Sequence, residues 1–229
     1  MMPETFLENE PHAARGAGEA VRGRRDVDAD SFDCDFSHAI DDVDVARAQE
    51  YALLSSLLMH APSAELLANL SALRGDPSPL GLAHAALADA ARHADADRLQ
   101  REYFDLFIGL GRGELLPYGS YYLTGFLHER PLARLRADLL RLGIEREHGN
   151  IEPEDHVAVL CEIMAGLAGG RFAAPPGADR EFFDKHMASW IGRFFADLET
   201  ARSAEFYRRI GALGQVFVSI ETEAFALPA

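Results

Sequence analysis

SAEFYRRIGALGQVFVSIETEAF, residues 203–225, carries Phe206, Ile210, Leu213, Phe217 and Ile220 at steps of three and four. Those steps lay one apolar stripe along an α-helix, whereas a half-buried strand would alternate every second residue. Ser203 stands where an N-cap is expected. The same period recurs upstream. Phe183, Met187, Trp190 and Phe194 form a stripe in a helix predicted over 179–200, and Val157, Leu160, Met164 and Leu167 form one over 153–168. Leu132, Leu135, Leu139 and Leu142 line one side of a helix over 131–142, with Arg134, Asp138 and Arg141 opposite and Gly143 as its stop.

The N-terminal half reads the same way. Helices are predicted over 45–60, with Tyr51, Leu54 and Leu58 on one stripe and Pro62 beyond its end, then over 63–73 and 79–93, separated by GDPSP. Another spans 95–108 and places Leu99, Tyr103, Leu106 and Phe107 on one face. The glycine-, proline- and tyrosine-rich IGLGRGELLPYGSYYLTG, 108–125, interrupts the helices, so 109–128 is the hinge candidate. The expected fold is therefore all-α, a bundle of about eight to ten helices in one domain over 43–226. Residues 1–42 read as an acidic, disordered tail, with few large apolar side chains and carboxylates well in excess of its four arginines. Its Arg24-Arg25 pair invites comparison with a twin-arginine export signal, but the following DVDADSFDCDF is acidic where such a signal is apolar.

Composition narrows the function. With 48% hydrophobic residues in 229, the chain can bury a sizeable core, yet no run reaches the ~18 apolar residues a membrane-spanning helix needs. Two cysteines, Cys34 and Cys161, make no disulfide framework, which points to a reducing, cytoplasmic setting. A formal charge of −15 works against nucleic acid and stable membrane association, and it attracts basic peptides.

Motifs for chemistry are weak. GLGRG at 109–113 follows a helix rather than a strand and lacks the lysine of a phosphate loop. EPEDH at 152–156 suits a helix start, with Pro153 in the first position and Glu154 and Asp155 in the first turn. Asp155 and His156 are neighbours in sequence, so on a helix they diverge by about 100° and form no acid/base pair. Glu145-x-x-His148 matches half of a di-iron motif without its second copy, and the histidines show no zinc spacing. No nucleophile motif occurs. Neither a catalytic residue nor a metal site is expected.

The order YFDLFIGLGRGELLPYGSYY (103–122), PLARLRADLLRLGI (131–144) and EPEDHVAVLCEIM (152–164), closed by FFDKHMASWIGRFFADLETA and EFYRRIGALGQVFVSIE, resembles the TorD/DmsD/NarJ superfamily of redox-enzyme maturation chaperones, TorD-like branch. The resemblance covers about 45–226 and leaves the acidic tail outside. It implies an all-helical, non-catalytic chaperone that binds the twin-arginine signal peptide of a molybdopterin oxidoreductase precursor and assists cofactor insertion before export. Carried over by position, Tyr103, Phe107, Pro117, Tyr118, Ser120 and Tyr121 would shape the peptide groove, with Asp155 and His156 as polar contacts. Many relatives have tryptophan where this chain has Tyr118. Because some relatives bind guanine nucleotides weakly and some form swapped dimers, the resemblance leaves open a weak nucleotide site and either a monomer or a homodimer. The alternative is a helical regulatory module that takes a small ligand or nucleotide in the same groove.

Overall fold

The structure, a computed structural model, describes residues 21–23, 41–146 and 152–228. In chain order these form β1 (Val21–Gly23), α1 (Asp42–Met59), α2 (Ala64–Ser71), α3 (Pro79–Arg92), α4 (Ala96–Tyr103), a π-helical turn (Phe104–Ile108) and α5 (Gly119–Thr124). They continue with α6 (Arg130–Arg141), β2 (Ile144–Arg146), α7 (Val157–Ala168), α8 (Ala178–His186), α9 (Ile191–Thr200) and α10 (Tyr207–Ala226). Among the described residues the fold is an all-α bundle of ten α-helices with one small antiparallel ribbon, β1 on β2.

The central helix is α7, buried around nearly its whole circumference through Val157, Leu160, Cys161, Ile163 and Met164. It packs chiefly along α1, whose Tyr51, Leu54, Leu57 and Leu58 are buried. Small side chains permit the close approach, and Ser55 donates its hydroxyl to the Ala158 carbonyl at 2.8 Å. The α9–α10 pair closes the bundle, with Gly214 against the Phe195 ring: a Cβ there would lie 2.2 Å from the ring, so only glycine fits without displacement. At the far end Arg47 ties three helices together, bonding Glu221 of α10 at 2.8 Å and Asp179 of α8 at 2.9 Å.

Four helix starts follow local chemistry directly. Asp41, Ser63, Ser78 and Asp95 each accept backbone N–H groups from the first turn they cap. Ser203, the expected cap of the last helix, does not act so. That helix begins at Tyr207, and Glu102 of α4 accepts its entering amides from Glu205 (2.8 Å), Phe206 (3.2 Å) and Tyr207 (2.8 Å). Glu114 takes the amides of Arg202 and Ser203. Two remote carboxylates thus do what the sequence assigned to one serine, and they complement the helix's positive end.

Three other expectations are corrected. The helix expected from residue 153 starts at Val157, because 152–155 turn instead and His156 serves as N-cap. The one over 179–200 breaks at Met187–Trp190 into α8 and α9. Ile220, assigned to the buried stripe, is 43% exposed. The disordered reading of 1–42 falls mostly outside the described residues; within it, Val21–Gly23 pair with β2, and Asp41 and Asp42 cap and open α1. Half of the Glu145-x-x-His148 motif, His148, also lies outside the described residues, and Glu145 sits in β2.

Candidate functional site

The hinge segment is tied back onto the helix that precedes it. The π-turn ends where the Gly109 amide bonds the Phe104 carbonyl at 2.7 Å, and Gly109 (φ 61°) and Gly111 (φ 92°) then reverse the chain. The amides of Glu114 and Leu115 return to the carbonyls of Asp105 and Leu106. These bonds pin both ends of GLGRG to the π-turn, so the segment is built as a chain reversal.

Residues 117–120 are then laced onto 155–157. The Val157 amide bonds the Pro117 carbonyl at 2.8 Å, and the Gly119 amide bonds the Asp155 carbonyl at 2.9 Å. The Asp155 carboxylate accepts the Ser120 amide at 2.8 Å. Asp155 therefore holds both leading amides of α5, which lacks a cap of its own. On the other face of α5's start, Trp190 packs against Gly119 and bonds the His186 carbonyl through its indole N–H at 2.7 Å.

Next to this lacing the aromatic residues form two groups. The Tyr118 ring meets the His156 ring edge-on at 5.1 Å, and its hydroxyl donates to Glu152 at 2.7 Å. Burial and that carboxylate hold the Tyr118 hydroxyl well above the ordinary tyrosine range. His156 is almost wholly buried, which pushes it down to about 4; its Nδ1 accepts the Ala158 amide, so at neutral pH the proton resides on Nε2. Tyr103, Phe107 and Tyr207 make a triangle of rings 5.1–5.9 Å apart, and the Tyr103 hydroxyl donates to the Met59 carbonyl. Burial raises Tyr103 to about 12. Tyr121 stands apart from both groups: Arg112 donates to its hydroxyl at 2.6 Å and lies over its ring.

Of the eight residues named from the sequence, Pro117, Tyr118, Ser120, Asp155 and His156 thus meet at the junction, while Tyr103 and Phe107 pack with Tyr207 and Tyr121 pairs with Arg112. Pro117, Ser120, Asp155 and His156 are buried, and Tyr103, Phe107, Tyr118 and Tyr121 are half-buried. The Ser120 hydroxyl is buried without a hydrogen-bond partner. Asp155 and His156 do not act as a pair, since the first bonds α5 and the second caps α7.

Of the eight, only Asp155 also lines a cleft of about 410 Å³ between α5, α6, α7 and α8. Its apolar wall is Leu123, Pro131, Leu135 and Leu160; its polar groups are Asp155, Asp138, His186, Arg134 and Lys185. His186 and Asp138 are joined at 2.8 Å. Burial and the neighbouring Lys185 and Arg141 push His186 down to about 4, so as a neutral ring it donates its Nε2 proton to the carboxylate. Sequence reading sets Arg134 and Asp138 opposite the apolar stripe of their helix and gives no signal for Lys185 and His186. The available signal was Asp138 amid the arginines of α6, and it did not reveal the partner 48 residues away.

Such a cleft can take a long side chain with an apolar stem and a cationic head, the stem against Leu123, Leu135 and Leu160 and the head toward Asp155. Among the described residues no group of three or more histidine, cysteine or acidic side chains is arranged to hold a metal, and no helix is long and apolar enough to cross a membrane.

Comparison with known proteins agrees with this architecture. The family model described as nitrate reductase delta subunit matches residues 73–196. The chaperone protein TorD of Shewanella loihica is 28% identical over 202 residues, covering 78% of this chain and 92% of that one. A probable Tat proofreading chaperone DmsD of Haemophilus influenzae is 28% identical over 117 residues, covering 50% and 56%. In fold, the chain is similar to a structure described as a redox enzyme maturation protein from Archaeoglobus fulgidus, with TM-score 0.52 and 22% identity over 75% of this chain and 93% of that one. With the family model matched over more than half its length, the chain belongs to the nitrate reductase delta subunit family, within the TorD-like superfamily of redox-enzyme maturation chaperones.

Proposed function

We propose that this maturation chaperone works in the cytoplasm by binding the twin-arginine signal peptide of a molybdopterin oxidoreductase precursor, keeping the precursor from export until its cofactor is inserted. The names of its relatives, a TorD chaperone and a Tat proofreading chaperone, support that reading. The observation that carries it is Asp155, a buried carboxylate that lines an apolar-walled cleft of about 410 Å³ in a protein of charge −15. A signal peptide presents arginines followed by an apolar run; net charge speeds the encounter and apolar burial retains the complex.

Calorimetric titration with a synthetic peptide carrying two arginines and an apolar run tests the reading. Binding with a Kd on the order of 10 μM or tighter is expected. It should weaken with salt, and it should weaken again when both arginines are replaced by glutamine. Equal affinity for the arginine and glutamine peptides, or none for either, would overturn it.

A further inference from the structure

The single ribbon in this helical fold joins segments about 120 residues apart. Val21, Arg22 and Gly23 pair antiparallel with Arg146, Glu145 and Ile144. This is strand addition to an edge rather than a hairpin. The added strand also lies against α7, and β2 follows directly from α6; these two helices supply Leu160, Leu135 and Asp138 to the cleft. Because Gly23 pairs with Ile144, the strand runs toward the α6 end of β2.

The chemistry of the added strand stands out from its surroundings. Three of the four arginines of the acidic tail are Arg22, Arg24 and Arg25, and Arg22 stands opposite Glu145 in the register. An acidic protein thus brings Arg22, one of its few basic tail residues, to a strand edge joined to two of the helices that line the cleft. A three-residue pairing is marginal by itself. Tethered through residues 24–40, however, the segment faces its edge at an effective concentration on the order of millimolar, enough to fill a weak site most of the time.

We propose that the edge of β2 is a strand-addition site for extended basic peptide segments, and that Val21-Arg22-Gly23 occupies it as an internal competitor of the client peptide. The competition rests on the signal-peptide reading above; the self-occupied edge does not. A ligand that must displace the tail binds more weakly by the fraction of time the edge is free, so an edge filled nine-tenths of the time costs about tenfold in affinity.

The test uses the full chain. Arg22→Glu places like charges opposite one another and should release the strand. A Val21→Pro/Arg22→Pro/Gly23→Pro variant removes every amide that the strand could donate, by a different route. Both should lose hydrogen-exchange protection at residues 144–146. Both should also bind the twin-arginine peptide about three- to tenfold more tightly than wild type. Unchanged protection in both variants overturns the self-occupied edge, and lost protection without tighter binding overturns the competition. If the wild type binds no twin-arginine peptide, the signal-peptide reading fails by itself. The edge is then judged by a synthetic peptide of residues 18–28 added to the Arg22→Glu chain. Restored protection at 144–146 by that peptide, and not by its arginine-to-glutamate analogue, supports the site; no restoration by either overturns it.

Discussion

Replacing Asp155 separates its structural role from its proposed ligand role, because the two depend on different properties of the carboxylate. Its oxygen accepts the Ser120 amide at 2.8 Å in a buried setting, a charge-assisted bond at the start of a helix with no other cap. Asp155→Ala strands that amide and should cost about 1.5–3 kcal/mol, which for a domain of this size lowers Tm by about 4–10 °C. Asp155→Asn keeps an oxygen facing Ser120 and loses only the charge, so its cost should be about 1 kcal/mol. Pairing with a cationic head in the cleft needs the charge. The Asn variant should therefore bind a twin-arginine peptide roughly tenfold more weakly at low salt, about 1.4 kcal/mol, and the deficit should shrink as salt is raised. Thermal melts beside titrations at two salt concentrations measure both quantities. If Asp155→Asn loses stability as stated but binds the peptide like wild type, Asp155 is scaffold and the charge argument is wrong.

Two further outcomes follow from the packing. Trp190 is 1% exposed, sits between Gly119 and Tyr122, and satisfies the His186 carbonyl, so Trp190→Ala should cost roughly 3–5 kcal/mol in urea unfolding; a value under about 1 kcal/mol would contradict that packing. His156 is held down to about 4 by burial, while in the unfolded chain it titrates near 6.5. The unfolded state therefore takes up the proton first. The contribution is fully present above about pH 6.5 and is lost as pH falls toward 4, by no more than about 3 kcal/mol. Urea midpoints between pH 7.5 and 4.5 should fall more steeply for wild type than for His156→Gln, and parallel slopes would refute the assignment.

What the sequence made legible depended on the range of the interaction. The stripes through Tyr51–Leu58, Leu132–Leu139 and Ile210–Phe217 were readable because one face repeats within a single helix, and the core is built from them. α5 was not readable: six residues are too few to show a period, and its start is set by Asp155 from 35 residues away. Ser203 was a plausible cap by local rules, yet Glu102, about a hundred residues earlier, takes the amides. The helix start expected at Pro153 failed for a related reason. The lacing of 117–120 onto 155–157 uses the amide and carbonyl groups that a longer α7 would have consumed.

The same distinction explains why the site was only partly visible. Tyr118, Ser120, Asp155 and His156 were named as neighbours of a groove, and their backbones do meet, but three of these four side chains are buried in the junction, where Asp155 and His156 bond backbone amides. The cleft beside them is completed by Asp138 and His186, whose sequence positions suggest ordinary helix surface. Asp155 is where the two sets join, because it fixes α5 and lines the cleft at once. A cation drawn to that carboxylate would compete with, or reinforce, the bond that orders α5, so peptide binding and the order of α5 must be linked. Hydrogen exchange at Ser120 measures the linkage directly. Protection that rises with bound peptide means the ligand reinforces the junction, protection that falls means it competes, and an unchanged rate at saturating peptide would show that the cationic head does not reach Asp155.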